Sequence, residues 1–172
     1  KSHEDAYVQL ARLSLETFVK THKPAELPKN LPADMTQNRA GTFVSLHKDG
    51  NLRGCIGTFM PTTDSIAQEI LQNAISACSR DPRFSPVEVS ELDDIEISVD
   101  VLAEPERVFD LKDLDAKKYG VIVENNGRRG LLLPDLDGVD TPQEQIAIAK
   151  RKAGIPANEK VYLWRFEVIR HH

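Results

Sequence analysis

The chain has no long hydrophobic run. Its apolar stretches are short, such as Leu131–Leu133, far below the roughly 20 residues that a membrane span needs, so no membrane segment is expected. It has only two cysteines, Cys55 and Cys78. A disulfide framework needs more, in a smaller secreted chain, and no charged-then-apolar leader pattern opens the sequence. Free thiols in a reducing cytoplasm are the expectation. No CxxC, HExxH or His-rich cluster occurs, and none of the five histidines stands at ligand spacing from a cysteine or another internal histidine, so neither a metal site nor a cofactor is expected. Positive charge is also short. The net charge is −5, whereas a phosphate-tracking protein carries a basic surplus, so nucleic-acid binding is not expected. Aromatic residues make up only 6% of the chain, with a single tryptophan.

What is present fits an ordinary globular protein. With 172 residues and 40% hydrophobic side chains, the chain is long enough for a real core. It reads as a single domain over 1–172.

A first helix is expected over Ala6, Leu10, Leu13 and Phe18, with Ser2 and Asp5 as its capping pair. Pro24, Pro28 and Pro32 then stiffen an extended connector. Thr42–His47 and Asn51–Phe59 flank Lys48-Asp49-Gly50 and form a hairpin. A three-residue loop with Gly50 left-handed pairs Leu46 with Leu52, Ser45 with Arg53 and Phe43 with Cys55. One face then carries Val44, Leu46, Leu52 and Ile56; the other carries Phe43, Ser45, His47, Arg53 and Cys55. A second helix runs from Thr63 to about Ser79, with Ile66, Ile70, Ala74, Ala77 and Cys78 inward. It stops before the stiff loop from Arg80 to Pro86. Ile95–Val101 alternates as a half-buried strand. Asn125-Asn126-Gly127 joins strands 120–124 and 128–133. Thr141-Pro142-Gln143-Glu144 starts a helix that Gly154 ends. Val161–Ile169 is a last strand with Tyr162, Trp164, Phe166 and Val168 on one face. No internal repeat is apparent. The class is α+β, an antiparallel or mixed sheet with helices packed on it.

Leu52-Arg53-Gly54-Cys55-Ile56-Gly57 resembles the signature hexapeptide of the AMMECR-one domain family, in prokaryotes the AmmeMemoRadiSam system protein A. Ser79-Arg80-Asp81-Pro82-Arg83-Phe84, Ile95–Leu102 with Glu104-Pro105, Gly130-Leu131-Leu132-Leu133-Pro134 and Lys152-Ala153-Gly154-Ile155-Pro156 follow in the family's order. The resemblance runs from about Tyr7 to Val168. It departs over Asp135–Gln143, which is shorter here and has no tryptophan, so no family role is carried onto that loop. The resemblance implies a larger and a smaller lobe with the hexapeptide near a cleft between them. It also implies a setting beside Memo-like and radical S-adenosylmethionine proteins. It implies no settled reaction.

The residues themselves suggest two chemistries. Arg53 and Cys55, two apart on a strand, share a face about 7 Å apart. A guanidinium so placed favours a thiolate, or forks onto a carboxylate or phosphate. Gly54 and Gly57 leave room for a ligand or for another backbone. Arg80, Asp81 and Arg83 offer a rim with one spare positive charge, the alternative being a local Asp81–arginine pair. His47 stands about 13 Å along the strand from Cys55 and is a poor base for it, so Cys55 lacks an identifiable partner. The reading favoured is an accessory or binding protein that holds an anionic small molecule, peptide or partner segment at Arg53, Gly54, Gly57, Arg80, Asp81 and Arg83. The alternative is an enzyme with Cys55 as nucleophile or acid/base. Arg128 and Arg129 read as solvated charge at a hairpin tip. Tyr162, Trp164 and Phe166 read as core rather than a stacking platform, because no basic patch is interleaved with them.

Overall fold

A computed structural model describes residues 3–172. The described residues form four α-helices and eight strands, arranged in two compact units. One unit runs up to Val101 and regains the chain at Ile169–His172; the other is Leu102–Val168.

The first unit opens with α1 (Ala6–Thr21). Its N-cap is Asp5, whose carboxylate accepts from the Val8 amide; Ser2 lies outside the described residues. His22 ends the helix in the left-handed region with φ 61°. The proline connector leads through a short α2 (Ala33–Gln37) to the hairpin β1 (Thr42–Lys48) and β2 (Asn51–Gly57). Helix α3 (Ile66–Ser79) starts three residues later than Thr63, because Ser65 accepts from the Gln68 amide as N-cap. Then come β3 (Ile95–Leu102) and, from the far end of the chain, β8 (Val168–His171). The sheet order is β2-β1-β3-β8. Helices α1 and α3 cover one face, and Val8, Leu15, Val44, Leu46, Ile70, Ile95 and Val99 are fully buried between them.

The hairpin corrects the expected register. Lys48 pairs with Asn51, so the loop is the two residues Asp49-Gly50, with φ 53° and 79°. Both left-handed values define the turn type that matches strand twist. A bulge then places Arg53 out of register, and beyond it Leu46 faces Gly54, Ser45 faces Cys55 and Val44 faces Ile56. The bulge adds one residue, which restores the parity that an odd loop would give. Cys55 therefore shares Ser45's face as expected, while Leu52, before the bulge, is 39% exposed rather than inward.

The second unit contains β4 (Glu106–Val108), β5 (Gly120–Asn125), β6 (Arg128–Leu132), α4 (Pro142–Ala153) and β7 (Tyr162–Phe166). Its sheet order is β4-β7-β5-β6. Asn126-Gly127 makes the same kind of turn as Asp49-Gly50, with φ 49° and 80°. Thr141 caps α4 through the Glu144 amide, Pro142 opens it and Gly154 closes it at φ 73°.

Two expectations are overturned here. The last strand is not continuous: it breaks at Glu167, so β7 and β8 serve different sheets. Only Phe166 of its aromatics is core, at 1% exposure, while Tyr162 is 60% exposed. Separately, and consistent with the absence of a sequence repeat, one topology occurs twice. In each unit a hairpin is followed by a helix and a third strand that pairs with the hairpin's first strand, giving β2-β1-β3 and β6-β5-β7. The two versions share too few residues for a sequence repeat to show.

Candidate functional site

Strand β2 lies at the edge of its sheet, with unpaired backbone groups that a folded protein must cover. The cover here is the loop after α3. The Asp81 carboxylate, its side chain 2% exposed, accepts from the Cys55 amide at 3.0 Å. Arg83 Nη2 donates to the Cys55 carbonyl at 3.3 Å and to Asp81 Oδ2 at 2.7 Å, and Arg83 Nε donates to Asp81 Oδ1 at 3.0 Å. One ion pair thus satisfies both outward groups of Cys55, as a neighbouring strand would. The Arg83 guanidinium, with the amides of Cys55 and Arg83, holds Asp81 well below the usual carboxylate range against the opposing effect of burial.

Arg53 fastens the next stretch of the same loop. Its Nε and Nη2 fork onto both oxygens of Glu91 at 2.9 and 3.1 Å, and its Nη1 and Nη2 donate to the Ser85 and Pro86 carbonyls at 2.8 and 3.2 Å. Lys48 Nζ adds a third donor to Glu91 at 3.1 Å. Arg53, with help from the Glu88 amide and Lys48, draws the Glu91 carboxyl down to about 2 against burial. The two-pronged carboxylate expected for Arg53 is therefore Glu91 of its own chain. Arg53 is the residue left unpaired at the bulge and makes no hydrogen bond with Cys55 among the described residues.

Gly54 admits a backbone, not a ligand. A Cβ there would lie 2.3 Å from the Ala77 carbonyl of α3. At Gly57 the neighbours are the Phe43 ring and the Thr42 carbonyl, at 2.3 and 2.5 Å from a built Cβ. These small residues let α3 and β1 approach β2 closely enough to fix its edge.

Cys55 itself is half-buried, with Sγ 3.3 Å from Ser45 Oγ. His47 makes no hydrogen bond or ion pair with it among the described residues. Cys78 is buried, hydrogen-bonded to the Ile75 carbonyl, and burial pushes its thiol up to about 11. Arg80 caps α3 through its backbone and leaves its side chain exposed. Of the residues singled out by sequence, the structure thus groups Cys55, Asp81 and Arg83 directly. Arg53 is turned to Glu91, and Arg80 stands alone at the rim.

Sequence reasoning missed the most buried charge of the region. Glu69, fully buried on α3, accepts from the amides of Thr62 and Thr63 at 3.0 and 2.9 Å, from their hydroxyls at 3.0 and 2.6 Å, and from the Thr58 hydroxyl. These donors outweigh burial and lower its pKa. Asn73 Nδ2 extends the network to the Thr42 carbonyl at 3.0 Å and to Thr58 Oγ1 at 3.2 Å. The loop that leaves the signature strand is thereby tied to α3. The available signal was position: Glu69 falls on the stripe of Ile66, Ile70 and Asn73, where a carboxylate persists only if fully satisfied. The paired arginines of the second hairpin are engaged, Arg128 with Glu159 at 2.9 Å and Arg129 with Glu124. No group of His, Cys, Asp or Glu among the described residues is arranged to hold a metal ion, and no described helix is long and apolar enough to cross a membrane.

These features define an α+β protein whose signature strand is an edge strand sealed by charged side chains. The chain belongs to the AMMECR1 family, whose model matches residues 8–171. A protein of Thermotoga maritima is 52% identical over 170 residues, covering 98% of each chain. A protein of Clostridium acetobutylicum is 49% identical over 172 residues, covering 99% of this chain and 36% of its own length. The crystal structure of an uncharacterized protein from Pyrococcus horikoshii superposes with a TM-score of 0.86 at 31% identity, over 95% of this chain and 88% of that one.

Proposed function

We propose that the protein is an accessory or binding protein of a reducing, cytoplasmic setting. It takes hold of an anionic group at the corner of β2 where Cys55, Arg83 and Arg80 meet solvent. The observation that carries this reading is where the strong polar groups point. Asp81, Arg83 and Arg53 grip main-chain groups of β2 and of the covering loop, which shapes a surface and supplies no proton acceptor to the thiol. Arg80 is exposed, and Arg83 keeps 55% of its side chain in solvent, so positive charge remains at the rim. The ligand is a carboxylate- or phosphate-bearing small molecule, peptide or partner segment. The partners this reading assigns are the Memo-like and radical S-adenosylmethionine proteins implied by the signature. The clostridial relative supports a partner role, because nearly two thirds of its length lies outside the matched region.

A second reading, with Cys55 as nucleophile or acid/base, rests on its half-buried position with Sγ beside Ser45 Oγ. The test of the first reading is a titration of 15N-labelled protein with citrate and with inorganic phosphate. Amide shifts are expected at Cys55, Asp81 and Arg83, kept in R83K and lost in R80E/R83Q. Shifts scattered over the surface, or unchanged in R80E/R83Q, contradict it.

A further inference from the structure

The two most exposed large hydrophobic side chains stand together in the second unit. Phe109 is 85% exposed and Tyr162 is 60% exposed. Between them sits Arg107, its guanidinium carbon 4.6 Å from the Phe109 ring centre, 4.9 Å from Tyr162 and 5.2 Å from Trp164. The register explains the grouping: Arg107 of β4 lies opposite Trp164 of β7. Three of the chain's ten aromatic residues thus surround one cation, far from the signature strand in sequence.

Exposed aromatic rings are costly unless something covers them. Arg107 shields only the ring faces turned toward it. It is also positioned rather than mobile, with Nη1 donating to the Val108 and Leu163 carbonyls at 3.1 and 3.3 Å. Nε and Nη2, which carry three of its five donors, have no partner among the described residues. The neighbouring carboxylates are engaged elsewhere: Glu106 faces Arg165 at 3.4 Å, and Asp110 accepts from the Lys112 amide at 2.9 Å. The cluster therefore offers open π-faces beside free guanidinium donors. A nucleotide combines the two complements, a flat base that stacks on Phe109 or Tyr162 and a phosphate that takes the donors of Arg107.

The geometry points to a nucleotide-binding site at Arg107, Phe109, Tyr162 and Trp164. The ligand is a free nucleotide and not a polymer, because a strand of phosphates needs a basic track. Leu102–Val168 has eleven basic against twelve acidic side chains.

Trp164 is the chain's only tryptophan, so its emission reports on this cluster alone. Titration with adenosine monophosphate is expected to quench it saturably. The affinity should fall about tenfold in F109A, the loss of one stacked base contact, and by a similar factor in R107Q. Phe109 is so exposed that F109A should keep the parent's urea midpoint, which separates lost binding from lost folding. Three results overturn the proposal: no saturable quenching by the nucleotide, equal affinity for adenosine without its phosphate, or binding only of an eight-residue oligothymidylate. An affinity unchanged in F109A overturns it as well.

Discussion

The two hairpins of this chain are built alike and used differently. Each turns on two left-handed residues, Asp49-Gly50 and Asn126-Gly127. Each has a glycine in its second strand on which a helix rests. A Cβ on Gly54 would stand 2.3 Å from the Ala77 carbonyl of α3, and one on Gly130 would stand 2.1 Å from the Ala149 carbonyl of α4. Each then capps the next carbonyl with a basic side chain: Arg83 reaches Cys55, and Lys152 reaches Leu131 at 2.9 Å. The difference lies in what surrounds that strand. Beside β6 the ion pair Arg128–Glu159 is more than one-third exposed on both sides, where such pairs add little. Beside β2 the side chains of Asp81 and Glu91 are 2% and 14% exposed, and Glu69 is wholly buried. One topology serves twice, and only the first copy carries buried charge. A scaffold needs the glycine and the turn; the carboxylates mark the place where an edge is held in a defined shape.

The largest effect should come from the shared feature. G54A and G130A each force a methyl group into a helix carbonyl and should cost roughly 3 kcal/mol or more, read as a drop in urea midpoint by circular dichroism. Trp164 lies in the second unit, so its emission tells whether G54A unfolds that unit too. A G54A protein as stable as its parent would break the parallel.

The unshared features come next. E69A leaves several buried threonine donors without an acceptor, at roughly 2–3 kcal/mol. Truncating Glu159 in the second unit should cost under about 1 kcal/mol. Equal losses for the two would remove the distinction between the copies. Acid should also act unevenly. The carboxyl of Glu91 titrates near 2 when folded and near 4.3 when unfolded. Its stabilising contribution is thus complete above about pH 4.3 and disappears as pH falls toward 2, a loss of roughly 2–3 kcal/mol. E91Q should flatten the fall in stability between pH 5 and 2. A slope identical to the parent's contradicts the role given to the Arg53–Glu91 pair. The smallest effect is expected from C55S, below about 1 kcal/mol in stability, since the residue is only half-buried and a hydroxyl can keep the contact with Ser45.

How far the sequence discloses this arrangement depends on whether the signal is local. Helix α4 is spelled out by Thr141, Pro142 and Gly154, each acting on its own backbone, and Asn126-Gly127 dictates its turn. The β1–β2 register is not, because a bulge has no residue signature here. Slipping by two residues nevertheless leaves every face beyond the bulge unchanged, so Cys55 and Ser45 fall on one face as read, although each was given another partner. The partner of Arg53 is 38 residues away, and nothing local announces it. Tyr162 and Trp164 keep a strand's alternation, but that pattern cannot tell a covered face from one open to solvent. Arg107 enters their neighbourhood only through the pairing of β4 with β7.

The central claim is that the polar groups around the signature strand shape a binding edge and do not activate the thiol. The direct measurement is the pH dependence of alkylation at Cys55, with Cys78 as internal control and peptide mapping to separate the two. The account predicts that Cys55 labels in the folded protein at a rate that R83Q leaves unchanged at every pH. Cys78, pushed up to about 11 by burial, should label only on unfolding. A fast Cys55 rate that persists well below pH 8.5 and is lost in R83Q would contradict the account and establish an activated thiolate at the edge of β2.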